Sequence, residues 1–148
     1  MTTFTDRQAQ TKASWILDDI KSLKGVTWAV VLSGDGLVVA RCKDLDRDTA
    51  DSISAAGAGY VSVAKALGQF GGGALRQCMA EYDKAMIMAT AVAENSLLVV
   101  QYTHDGNVEV ITNKVMSVAP NLAQELASKA RTETPGGTGL GSGAAGQL

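Results

Sequence analysis

Glycine spacing supplies the first candidate chemistry. Gly141-Ser-Gly143-Ala-Ala-Gly146 has the GxGxxG pattern of a pyrophosphate-binding turn, but that turn works only between a strand and the N-terminus of a helix. With two residues after Gly146 in the sequence, a low-complexity tail is expected instead. Gly57-Ala-Gly59 falls within a helical pattern, and Gly71-Gly72-Gly73 lacks the Gly-Lys-Ser/Thr ending of a P-loop. No nucleotide site is expected from any of them. His104 is the single histidine and sits in a His-Asp-Gly-Asn turn, with no second imidazole or positioned thiol to complete a metal shell or a triad. Ser33, Ser54 and Ser96 lack the context of a nucleophile elbow. Asp44, Asp46 and Asp48 are explained as acids at a helix start, where they meet unpaired backbone N–H groups. Cys42 and Cys78, the two cysteines, have no zinc-ligand spacing and read as buried free thiols. The expectation is a protein without enzymatic activity, cofactor or metal.

Composition narrows the classes further. The 148 residues suit one domain, and 46% hydrophobic with 19% charged residues describes a globular core. A net charge of −2 leaves no basic field to neutralise nucleic-acid phosphates, so no nucleic-acid partner is expected. The N-terminus has no basic segment followed by an apolar one, and the longest apolar runs fall far below the ~20 residues that span a bilayer. A cytoplasmic protein that does not insert into membranes is the expectation.

The elements around these residues follow from periodicity. Thr5 and Gln8 have capping-box spacing, and Ala13, Ile16, Ile20 and Leu23 continue one helical stripe, predicting a helix over Asp6–Leu23. Val26–Leu32 and Leu37–Arg41 flank Ser33-Gly34-Asp35-Gly36 and predict a hairpin. Asp44 or Asp46 then caps a second helix reaching Leu67. Its Ile53, Ala56, Tyr60, Val63 and Leu67 form a stripe expected to pack on a sheet. A neighbouring face, Ala55, Gly59, Ser62 and Ala66, carries only small side chains and suggests close approach of another body. Ala74–Tyr82, Ala85–Ala93 and Leu97–Thr103 read as a three-stranded meander. The last two are apolar on both faces and so central, whereas Arg76, Gln77 and Glu81 give the first the mixed character of an edge. The closing helix, patterned by Ile111, Val115, Val118, Leu122 and Leu126, contains Pro120, which predicts a kink near Ser117–Ala119. Trp15 and Trp28 are expected to anchor the first helix to the first strand. One domain over 6–131 and a flexible Gly-rich tail over 132–148 result.

An edge strand must be blunted, covered or paired. That requirement and the small-residue stripe predict a homodimer through Leu75, Gln77, Cys78 and Met79 on the third strand, with Ala55, Gly59, Ser62 and Ala66 on the second helix.

The α-β-β-α-β-β-β-α order and the hairpin Ala-Val-Val-Leu-Ser-Gly-Asp-Gly-Leu-Val-Val-Ala, followed by a Leu-Asp-Arg-Asp-x-Ala helix start, resemble the Roadblock/dynein light-chain family over Trp15–Leu126. Trp15-Ile-Leu-Asp-Asp19, together with Phe70-Gly-Gly-Gly73 before Leu75-Arg76-Gln77, is particularly similar to the Roadblock components of actinobacterial conservon operons. The resemblance implies a profilin-like α/β (α+β) sandwich, with a five-stranded antiparallel sheet of order 2-1-5-4-3 and helices on both faces. It also implies dimers in which third strands pair antiparallel and second helices lie side by side. Two further implications are a small Ras-like GTPase as partner, with GTPase activation as one role, and a sensor-kinase-like membrane protein as a neighbour that would bring the chain to the membrane. Arg41, Arg47 and Arg76 are the arginines in or beside the central elements that could contact such a partner. Two other readings of the fold are a small-ligand sensory domain and a purely structural dimerisation module. The implied strand order places Cys42 and Cys78 at opposite sheet edges, too far apart for an intrachain bridge.

Overall fold

The computed structural model describes residues 11–133. Helix α1 spans Lys12–Lys21, with Thr11 as its N-cap. Thr11 and Ser14 satisfy one another's backbone N–H groups through their side chains, both at 3.0 Å, as a capping box does. Thr11 is extended, so the helix predicted from Asp6 begins at Lys12. The Thr5/Gln8 capping box lies outside the described residues.

Strands β1 (Val26–Ser33) and β2 (Val38–Arg41) form the expected hairpin, and Gly36 supplies the positive φ of its turn. Asp46, rather than Asp44, caps α2 (Arg47–Leu67) by accepting the Thr49 N–H at 3.0 Å. That bond and the Thr49 side chain hold the Asp46 carboxyl below its ordinary range. A short 3-10 turn, Gly68–Phe70, leads to β3 (Gln77–Glu81), β4 (Ala85–Ala93), β5 (Ser96–Thr103) and α3 (Val108–Glu133). Helix α3 runs unbroken through Pro120 and ends beyond the predicted domain boundary at 131; the rest of the predicted tail lies outside the described residues.

The five strands form one antiparallel sheet of order β2-β1-β5-β4-β3, as predicted. Central β5 and β4 carry an almost continuous buried run, including Leu97, Leu98, Val99 and Val100, because helices cover both faces. Helices α1 and α3 pack side by side on one face, through Leu17, Ile20, Ile111, Val115 and Leu122. Each such buried side chain contributes about 1.5–3 kcal/mol. The other face meets α2, where Gly57 lies so close that an added Cβ would touch Leu32 and Val99.

Two packing expectations need correction. The stripe predicted to seat α2 on the sheet does not do so as a whole: Val63 and Leu67 are 65% and 67% exposed. The fully buried residues of α2 are Ala50, Ser54 and Val61, with Gly57 between them. Small residues there let the helix approach the sheet closely, and the larger apolar residues are rotated outward. Nor do the tryptophans join α1 to β1. Trp15 is 62% exposed on the outer side of α1, whose sheet-facing positions belong to Ala13, Leu17 and Ile20. Trp28 instead points beneath α2, beside Gly57 and Val99.

Candidate protein interaction surface

The two edges of the sheet set the geometry of the site. On β3, the Ala91 N–H donates to the Arg76 carbonyl at 3.1 Å and the Tyr82 N–H to the Ala85 carbonyl at 2.7 Å. These bonds flank the register Gln77↔Thr90, Cys78↔Ala89, Met79↔Met88. Hydrogen-bonded and non-hydrogen-bonded pairs alternate along an antiparallel ladder. The even-numbered residues therefore bond to β4, and Gln77, Met79 and Glu81 direct their backbone N–H and C=O groups outward. Among the described residues, strand β3 has no neighbour on that side.

Side chains alternate as well. Cys78 and Ala80 lie half-buried on the α2 side, whereas Gln77, Met79 and Glu81 are exposed on the opposite face. The Tyr60 hydroxyl stands beside the Cys78 thiol, and burial raises the pKa of both groups. Cys78 is thus a protected thiol. Cys42 is fully buried near the other edge, its pKa also raised by burial, and both cysteines are free.

Helix α2 runs antiparallel to β3. Ala64 and Gly68 near its C-terminus share a shallow depression of about 430 Å³ with Leu75, Arg76 and Gln77. Ile53, Ala56 and Tyr60, nearer its N-terminus, stand with Tyr82. The outward apolar residues Val63 and Leu67 continue the Ala56 and Tyr60 side of the helix at i+3 and i+4 spacing, which is the side toward β3. Phe70, 87% exposed, follows. With Met79 and Tyr82, also exposed, these residues make the open edge apolar on its α2 side and around its strand.

The predicted interface residues divide between two places. Leu75, Gln77, Cys78 and Met79 lie in or just before β3. Ala55, Gly59, Ser62 and Ala66 are all exposed on α2, with the Ala55 backbone against Gly36 of the β1–β2 turn. A methyl group on Gly59 would meet no other atom within contact distance. Sequence reasoning missed the helix residues that do border the edge, Ala56, Val63 and Leu67, because their apolar period is the same one that signals packing on a sheet.

Among the arginines, Arg41 is buried and donates from Nη1 to the Leu45 carbonyl at 2.5 Å, which ties it to the loop before α2. Arg47 and Arg76 are exposed at opposite ends of the α2–β3 pair. His104 is exposed, and its ring Nε2 lies 3.0 Å from the Tyr82 carbonyl, linking two turns rather than joining a reactive cluster. Ser54 is buried beneath α2; Ser33 is engaged with Asp35 and Leu37 in the hairpin turn. No group of three or more metal-ligating side chains occurs among the described residues, and no helix among them is long and apolar enough to cross a membrane.

Comparison with known proteins places this geometry. The model of the Roadblock/LC7 domain matches residues 12–102, from the start of α1 into β5. A Roadblock/LC7 domain from Streptomyces avermitilis is 28% identical and superposes with a TM-score of 0.65, covering 74% of this chain and 96% of that one. Myxococcus xanthus MglB is 16% identical with a TM-score of 0.73, over 82% of this chain and 99% of its own. MglC from Myxococcus xanthus, 18% identical, gives 0.53 over 73% and 93%; these two show the shared fold. No curated protein matches the sequence.

Proposed function

The chain belongs to the Roadblock/LC7 domain family, and from that premise we propose a dimeric, non-enzymatic adaptor that binds a small Ras-like GTPase. It biases the nucleotide state or location of that partner, either by promoting hydrolysis or by holding the GTPase in place. The observation that carries this reading is the open β3 edge with an apolar margin on α2, in a chain whose glycine motifs at 57–59 and 71–73 form a helix interior and a tight loop instead of a phosphate cradle. Two copies joined at β3 would make one continuous sheet with both α2 helices on the same face. That face is the platform we assign to the partner.

The proposed dimer contact comprises Leu75, Gln77, Cys78 and Met79 with Ala56, Val63 and Leu67 of α2. These helix residues replace the small-residue stripe, since they lie on the β3 side. Arg76 and Arg47 are the arginines placed to meet the GTPase. A cytoplasmic location, with a membrane protein of the sensor-kinase type as a further neighbour, completes the reading.

A small-ligand sensory role is less well supported. The cavity under α2 measures about 140 Å³, below the ~300 Å³ at which ordinary ligand pockets begin.

Affinity capture from native lysate, with the lysate loaded with GTP analogue or with GDP and the bound proteins read by mass spectrometry, tests the function. A GTPase enriched in one nucleotide state is expected. A dimer that recovers no GTPase in either state would leave only a structural module. If the recovered partner's hydrolysis is accelerated, Arg76→Ala or Arg47→Ala should cut it by ~10³-fold where that residue reaches the γ-phosphate. Unchanged rates in both variants would move activation to the partner's own residues.

A further inference from the structure

Beneath α2 lies a small cavity lined by Trp28, Ile53, Ala56, Tyr60, Tyr82 and Val99. Three of these are aromatic and none is charged, so the space suits a neutral, flat, apolar group. Its volume of about 140 Å³ matches the ~150 Å³ apolar cavities that accept a benzene ring. The cavity lies at the Tyr82 end of β3, on the side of α2 that borders the open edge.

At the other end of the same helix, Phe70 is the most exposed of the large apolar side chains among the described residues. It is held in a fixed turn. The Gly73 N–H donates to the Gly68 carbonyl at 2.8 Å, Gly71 and Gly73 adopt positive φ, and a Cβ on Gly68 would collide with the Gly73 carbonyl oxygen. A benzyl group is therefore presented to solvent by an ordered loop, with nothing among the described residues covering it.

We infer that Phe70 of a second copy fills this cavity, so that each aromatic pocket is completed only by the partner. The inference rests on the two-copy reading given above. A two-fold axis perpendicular to the sheet at the β3 edge makes the paired strands antiparallel and keeps both α2 helices on one face. It sets the Arg76 end of one β3 beside the Glu81 end of the other. Because α2 is antiparallel to β3, the same operation carries the C-terminal end of the partner's α2, and with it the partner's Phe70, to the Ile53–Tyr60 end of the first helix. That is the end of the helix at which the cavity lies.

Trp28 lines the pocket and Trp15 does not, so a Trp15→Phe background leaves Trp28 as the single tryptophan, excited selectively over the tyrosines. In sedimentation velocity and fluorescence dilution series on that protein, Trp28 emission should change across the same concentration range as the dimer-to-monomer transition. Phe70→Ala should raise the dimer Kd by about 30-fold or more and abolish the emission change. Ala56→Leu, which fills the space from within, should weaken association alone and cost little more when combined with Phe70→Ala. A dimer of unchanged Kd in Phe70→Ala, or a dissociation that leaves Trp28 emission constant, would overturn the inference while leaving the dimer intact. A mass that stays monomeric at every concentration would remove the two-copy reading itself.

Discussion

The two edges of the sheet are finished in different ways. At β2, four residues long, the strand ends in buried Ala40 and Arg41 and the chain turns inward at fully buried Cys42. Arg41 holds the Leu45 carbonyl, and the Lys43 N–H donates to Asp18 of α1 at 2.8 Å. The strand is short, and the segment that leaves it is tied to the helix layer, which is one way natural proteins prevent edge pairing. At β3 the alternate backbone groups of Gln77, Met79 and Glu81 face outward, with no strand paired to them among the described residues. Val63, Leu67 and Phe70 stand exposed beside them. The difference teaches that exposure at β3 is not a general feature of this small sheet: the segment leaving one edge is tied to the helix layer, and the other edge is open among the described residues.

The sharpest way to break the comparison is Met79→Pro. Its N–H makes no bond inside the protomer, so proline removes only a donor offered to a neighbour. The dimer Kd should rise by ~100-fold or more, two symmetric backbone bonds and the close strand approach being lost together. Circular dichroism should show an unchanged fold. An unshifted Kd in sedimentation equilibrium with the fold retained would place β3 outside the interface, and loss of the fold would contradict the assignment of the Met79 N–H as unbonded within the protomer.

A smaller effect is expected from Val63→Glu, which sets like charges near each other across the two-fold axis; about tenfold weaker association is predicted, with partial recovery at high salt. Salt-insensitive association identical to that of the parent would show that this face of α2 does not meet its copy.

Gly59 distinguishes the two faces of α2. Because a methyl group there meets open space, Gly59→Ala should stabilise the protein by roughly 0.5–1 kcal/mol in thermal or urea unfolding. Association should be unchanged. Weakened dimers would restore the small-residue stripe to the interface.

The smallest effects concern the thiols. Burial raises both pKa values, so less thiolate is present at pH 7–8 than in a free cysteine and alkylation should be slow at both. Cys78 should react first, and more slowly as dimer forms, with Cys42 reacting only on unfolding. Equal rates at the two sites would contradict their burial.

Much of this surface is legible in the residues alone, and its gaps have physical causes. The central strands declare themselves through apolar residues on both faces, and Arg76, Gln77 and Glu81 mark β3 as an edge. The strand order comes from family resemblance rather than periodicity, since single strands do not encode their neighbours. Helix α2 misleads because two apolar stripes compete on it. Ala50, Ser54, Gly57 and Val61 look too small or too polar to be the core-facing set, yet their smallness is what seats the helix on Leu32 and Val99. The larger Val63 and Leu67 have the pattern of core in the sequence and the place of surface in the structure. Trp28 is misread for a related reason: alternation along β1 fixes that it shares a side with Leu32, but only the packing shows which helix covers that side. Thr11 rather than Thr5 cannot be chosen by spacing alone, because Thr11 and Ser14 form a reciprocal cap without the acidic or amide residue that usually signals one.

Hydrogen exchange resolved to single β3 amides tests the edge-pairing claim most directly. In concentrated samples of the intact protein, the amides of Gln77, Met79 and Glu81 should exchange slowly, and dilution below the dimer Kd should make these three fast while Cys78 and Ala80, bonded to β4, stay protected. Fast exchange of all three in a sample shown by sedimentation to be dimeric would contradict the account and move the interface away from β3.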